Sequence, residues 1–130
     1  MNWLAIVLGT AAFFAVGAAW YTVLFGKAWR RLVGLSEDQL RSGAHGPLIF
    51  VLCFLLELLV VTMLGHLFAF LQPSDRAKMM ISTGFGLTIM SPAIGITYLF
   101  MRKPLKLFLI DAGHFVVGMA AVGVVFVLLG

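Results

Sequence analysis

The chain has 130 residues, a formal net charge of +4, 62% hydrophobic and 11% charged side chains, and a mean hydropathy of +1.10. Soluble domains carry about 45–50% apolar and ~25% charged residues, and a small domain leaves much of its surface exposed, so a water-soluble globular fold is excluded. The basic residues lie between apolar runs and form no stripe of their own, which argues against a nucleic-acid face.

Four apolar runs follow one another. The first, residues 3–25, has 23 residues without a charge. The basic residues come after it, the reverse of a secretory signal. The stretch that follows, "GKAWRRLVGLSEDQLRSGAHG", is expected to continue the helix into the interface. Ser36 and Gln39 have capping-box spacing and predict a turn or two of surface helix over 37–42. The second run, 47–71, has 25 residues interrupted by Glu57 and His66. "QPSDRAK" leads to the third, 79–101, with Ser74 or Asp75 as the expected N-cap. "RKPLK" leads to the fourth, 107–129, which holds Asp111 and His114, and Pro104 suits its start. A spanning helix needs ~20 apolar residues, and runs this continuous do not alternate as barrel strands do. The expectation is an all-α polytopic membrane protein: one transmembrane domain, residues 1–130, with four helices in a compact bundle and short loops.

The first and third loops carry seven basic residues, Lys27, Arg30, Arg31, Arg41, Arg102, Lys103 and Lys106, against Arg76 and Lys78 in the second. The positive-inside rule then places both termini outside a bacterial cytoplasmic membrane. Trp20, Tyr21 and Trp29 are expected in the cytoplasmic aromatic belt, with Trp3 at the outer interface. The single cysteine, Cys53, reads as a small buried apolar residue.

The opening "MNWLAI" and the stretches "WYTVLFGKAW" and "KPLKLFLIDAGHFVVG" resemble the domain-of-unknown-function 1761 family, small bacterial membrane proteins with four predicted spans. The resemblance covers essentially the whole chain. It implies the membrane architecture and supplies no activity and no functional residues. The family pattern more often has tyrosine after "DAG", so His114 is a departure from it.

Glu57 is the intramembrane carboxylate that needs explaining. A charge at a helix centre costs ~2.5–3.5 kcal/mol on insertion scales, which the surrounding leucines and valines offset, so the expectation is that Glu57 turns toward protein. It lies ten residues past Pro47, roughly 15 Å deep; His114 lies seven past Leu107, roughly 10 Å deep. Asp111 and His114, three apart, share a helix face. Gly84, Thr88, Ser91, Gly95 and Tyr98 form a stripe of small and hydroxylated residues on the third helix. It reads as a packing seam or as a lining that faces Glu57 and His114. Pro92 beside it frees a carbonyl near Thr88. The expected polar cluster is therefore Glu57, Asp111, His114, Thr88, Ser91 and Tyr98. His66 falls on the face opposite Glu57 near the outer end and reads as interfacial.

No metal motif, nucleophile motif or phosphate loop is present in the sequence, so no cofactor, no metal and no enzymatic activity are expected. Two functional readings remain. One is a homo-oligomeric, proton- or cation-responsive permeation or transport protein. The other is a non-catalytic accessory subunit that packs against and stabilises a larger membrane complex. Apolar faces with small residues, such as Ala11, Ala15 and Ala19 on the first helix or Gly118 on the fourth, are candidates for contact with copies or partners.

Overall fold

A computed structural model describes residues 1–36 and 47–130. Gln39 of the expected capping box and the short helix expected over 37–42 lie outside the described residues. Every described element is helical: α1 (Trp3–Ala19), a π turn (Trp20–Leu24), α2 (Gly26–Val33), α3 (Leu48–Leu71), α4 (Asp75–Gly84), a second π turn (Phe85–Met90), α5 (Ser91–Phe100) and α6 (Leu105–Leu129). The third span is α4, its π turn and α5 taken together.

Local chemistry sets the helix ends. The Asn2 side chain accepts from the Ala5 amide at 3.0 Å and starts α1. Ser74 does the same for α4, accepting from Ala77 at 3.2 Å, so the third helix begins four residues before its apolar run. Pro104, extended at φ −67° and ψ 149°, precedes α6. Gln72 (φ 49°) closes α3 and Gly34 (φ 75°) closes α2, each in the left-handed conformation that frees the chain from the helix.

Four helices, Trp3–Leu24, Leu48–Leu71, Asp75–Phe100 and Leu105–Leu129, are long and apolar enough to cross a bilayer. Their outer faces are apolar as well: Leu59 is 68% exposed, Leu99 80% and Phe100 86%, which suits hydrocarbon and not water. This is a multi-pass membrane protein built as a bundle of four spans. Cys53 is exposed on α3 and not buried, because the inward face of that helix is taken by Phe54, Val61, Leu64 and Phe68.

α6 is the central helix, with ten of its 25 residues buried against four of 24 in α3. It packs on α1, α2, α4, α5 and the second π turn, while α3 packs mainly on α1. One core holds Ile6 and Phe13 of α1, Val61, Leu64 and Phe68 of α3, and Met119, Val122 and Phe126 of α6. Lipid is as apolar as these side chains, so association rests on close packing. Gly86 shows how close: a Cβ there would stand 2.6 Å from the Phe115 carbonyl oxygen of α6. The first half of α3 is different. Residues 48–56 are exposed except for Phe54, which meets Phe14 of α1 edge-on at 5.9 Å.

Candidate functional site

The site lies on α6 toward the end of the bundle that carries Lys27, Arg30, Arg102, Lys103 and Lys106. Asp111 is buried, at 5% exposure, and both its carboxylate oxygens are engaged. The Tyr21 hydroxyl donates to Oδ1 and the Tyr98 hydroxyl donates to Oδ2, each at 2.5 Å. One carboxylate thus ties the first, third and fourth spans together.

Two π turns place the donors. In the first, the Phe25 amide bonds back to Trp20 at 2.8 Å, five residues earlier. The widened turn lets two consecutive aromatics reach α6. Trp20 donates from Nε1 to the Ile110 carbonyl at 2.8 Å and lays its ring on Gly113, where a Cβ would sit 2.9 Å from the ring. Tyr21 beside it reaches Asp111. Gly26 is needed just beyond, since a Cβ there would meet the Tyr21 carbonyl oxygen at 2.8 Å. The second π turn precedes Pro92, whose ring would crowd the carbonyl four residues back in a regular helix. The Gly86 carbonyl accepts from the Ser91 amide and from the Ser91 hydroxyl at 2.6 Å.

His114 sits one turn along α6 from Asp111, buried at 7% exposure. Its ring packs among Phe13 (5.4 Å), Tyr21 (5.1 Å) and Phe115 (5.0 Å). Neither ring nitrogen has a hydrogen-bond partner among the described residues. Gly17 makes room for it: a Cβ there would be 2.9 Å from Nε2.

The model of the family described as "Protein of unknown function (DUF1761)" matches residues 4–127, nearly the full length. The chain belongs to this family. Comparisons with curated proteins and with solved structures give no match. In this DUF1761 protein the two longer stretches that carry the resemblance meet in space: Trp20 and Tyr21 of "WYTVLFGKAW" touch Ile110, Asp111 and Gly113 of "KPLKLFLIDAGHFVVG".

Of the residues expected to cluster, the structure joins Asp111 to Tyr98 and sets His114 beside them. Ser91 is buried at the same helix contact, 3.5 Å from the Ala112 carbonyl, and bonds backbone, not Asp111. Thr88 is exposed and donates to the Gly84 carbonyl of its own helix at 2.6 Å. The π turn explains this. It makes the step from Gly86 to Ser91 five residues, not four, so the face toward α6 runs Ser82, Gly86, Ser91, Gly95, Tyr98 and leaves Gly84 and Thr88 off it.

Glu57 is half-buried on the α3 face toward α1, between the levels of the Val61–Gly9 and Phe54–Phe14 contacts. Its Oε2 is buried without a partner, and no bond from Glu57 to Asp111 or His114 occurs among the described residues. His66 is exposed. No group of three His, Cys, Asp or Glu side chains suited to a metal occurs among the described residues. Tyr21, expected from its sequence position at the membrane interface, is turned inward together with Trp20. Gly118 packs on Phe13 within the protomer, whereas Ala11, Ala15 and Ala19 remain outward.

Proposed function

We propose that this DUF1761 protein is a homo-oligomeric, proton- or cation-responsive permeation or transport protein of the bacterial cytoplasmic membrane, non-catalytic, with both termini outside. Asp111 is its responsive group. The observation that carries the reading is a buried carboxylate holding two tyrosines from two other spans, beside a histidine with both nitrogens unpartnered among the described residues. Intramembrane ionisable groups mark ion or proton paths by default.

The chemistry supplies a switch. An ionised carboxylate only accepts hydrogen bonds, and here it accepts one on each oxygen. A protonated carboxyl donates its own O–H, so the tyrosine on that oxygen must rotate its hydroxyl and accept instead. Loading Asp111 therefore reverses one of the two bonds and replaces charge-assisted bonds by weaker neutral ones, which slackens the hold of the first and third spans on α6. In this reading His114, one helical turn away on α6, is the group that exchanges the proton.

Proton and cation flux into liposomes tests this with the wild-type protein and Asp111→Asn. The amide keeps the shape and can still bond both hydroxyls. Flux in the wild type that falls in the variant supports the reading; no flux from a folded wild-type oligomer contradicts it.

The accessory-subunit reading has its own observation. Residues 48–56 of α3 are exposed but for Phe54, and the buried oxygen of Glu57 at their edge has no partner among the described residues. A larger membrane protein laid on that face would cover these exposed residues. Gentle purification separates the two readings: a symmetric homo-oligomer favours permeation, and stable co-purification with a larger assembly favours the accessory role.

A further inference from the structure

A groove of about 390 Å³ runs down the outside of the bundle between α5 and α6. Pro92, Gly95, Tyr98, Leu99, Lys103 and Phe108 line it. Gly95 shapes its floor, because the absent side chain lets the Phe108 ring lie on the α5 backbone; a Cβ would come within 2.9 Å of that ring. The Tyr98 hydroxyl is turned to Asp111, so the tyrosine offers the groove its ring. The wall is apolar except at one end, where Lys103 stands.

The backbone puts Lys103 there. α5 ends in a double closure, with the Lys103 amide bonded to the Tyr98 carbonyl at 2.9 Å and the Arg102 amide to the Leu99 carbonyl at 3.2 Å. Arg102 takes the left-handed position, φ 57°, where glycine is usual. The chain reverses there and folds Lys103 back along the helix it has just left. Arg102 and Lys106 are exposed on either side of it in sequence.

A site that is apolar along its length and cationic at one end matches an amphiphile with an anionic head. From Pro92 to Phe100, the end of α5, is eight residues, roughly 12 Å of helix, against ~15 Å for half of the ~30 Å hydrocarbon thickness. The groove thus spans most of one leaflet. Basic pockets between spans bind anionic headgroups in this way. We propose that the α5–α6 groove is a binding site for an anionic phospholipid of the leaflet at the basic end, its acyl chain along Pro92–Phe108 and its phosphate on Lys103. The bound chain lies against the ring whose hydroxyl holds Asp111, so lipid occupancy stiffens that contact.

Native mass spectrometry of the protein released from nanodiscs of mixed phosphatidylglycerol and phosphatidylcholine tests the proposal. The wild type retains phosphatidylglycerol in preference to phosphatidylcholine. Lys103→Gln lowers that retention about fivefold, one basic residue's share of the attraction, and Arg76→Gln at the other end leaves it unchanged. Equal retention of both lipids, or an unchanged preference in Lys103→Gln, overturns the proposal. A phosphatidylglycerol carrying a photoreactive acyl chain needs no variant. Crosslinks in the wild type concentrate at Ile96, Leu99 and Phe108; labelling spread evenly over Leu56, Leu59 and the other exposed faces overturns it.

Discussion

Tyr21 and Asp111 stand 90 residues apart in the chain and are joined by a 2.5 Å hydrogen bond. Tyr98 closes the same carboxylate from the other side. The bundle thus has a polar clasp where three spans meet, with its carboxylate buried. Hydrogen bonds to a charged group contribute more than neutral ones, and bonds between membrane helices have been worth ~0.6–1.7 kcal/mol.

Tyr21→Phe and Tyr98→Phe are each expected to lower stability by about 1–2 kcal/mol. Because both act on one carboxylate, the double variant departs from additivity by at least ~0.5 kcal/mol. Reversible unfolding in mixed micelles measures all three. Strict additivity would mean that the two tyrosines do not share Asp111.

Gly86 and Gly84 lie two residues apart and should respond in opposite directions. Gly86→Ala drives a Cβ into the Phe115 carbonyl, backbone that cannot step aside, and costs ~1–3 kcal/mol. Gly84 has nothing within 4 Å of that position, so Gly84→Ala is neutral or stabilises by up to ~1 kcal/mol through helix propensity. The same unfolding assay decides. A reversed order would move the α6-facing side of the third span to the Gly84–Thr88 face and remove the register shift.

That register shift marks where sequence reasoning reached its limit. The four spans were legible because a charge-free run of 23 residues, as in 3–25 or 79–101, is long enough to cross hydrocarbon and too apolar to face water. The cap of the third helix was legible from residue type as Ser74 or Asp75, and the structure uses Ser74. The π turns were not, since counting in steps of three and four assumes an unbroken helical period, and one extra residue before Ser91 moves the inward face off Thr88. Tyr21 was missed for another reason. An aromatic beside basic residues at a span end has the same composition whether it faces headgroups or turns inward, and only the partner, Asp111 on a distant helix, distinguishes them. The face that Glu57 shares with Phe54 and Val61 follows helical spacing, but whether a partner waits on the facing helix could not be read from one span.

His114 has two buried ring nitrogens and no partner for either among the described residues. An unmade buried hydrogen bond costs ~1–3 kcal/mol, so His114→Leu should leave the fold intact or stabilise it while abolishing the pH response of flux. Thermal unfolding in detergent, read beside liposome flux, separates the two effects. A large loss of stability would assign the histidine a structural role instead.

Glu57 gives the parallel case on α3. Its buried oxygen lacks a partner among the described residues, so Glu57→Leu is expected to spare the protomer, by less than ~1 kcal/mol in either direction once the desolvation it removes is counted. If the exposed α3 face beside Glu57 is an assembly surface, as proposed, the stoichiometry of the purified assembly should change as well. Native mass spectrometry reads this directly. Unaltered assembly together with a collapsed protomer would place the role of Glu57 inside one chain.

The clasp as a proton-operated device is tested most directly by infrared difference spectroscopy of the protein in liposomes across a pH step. A carboxyl C=O band should appear or vanish in the wild type, be absent in Asp111→Asn and shift in Tyr98→Phe. Identical difference spectra for wild type and Asp111→Asn would mean that Asp111 exchanges no proton and would contradict the account.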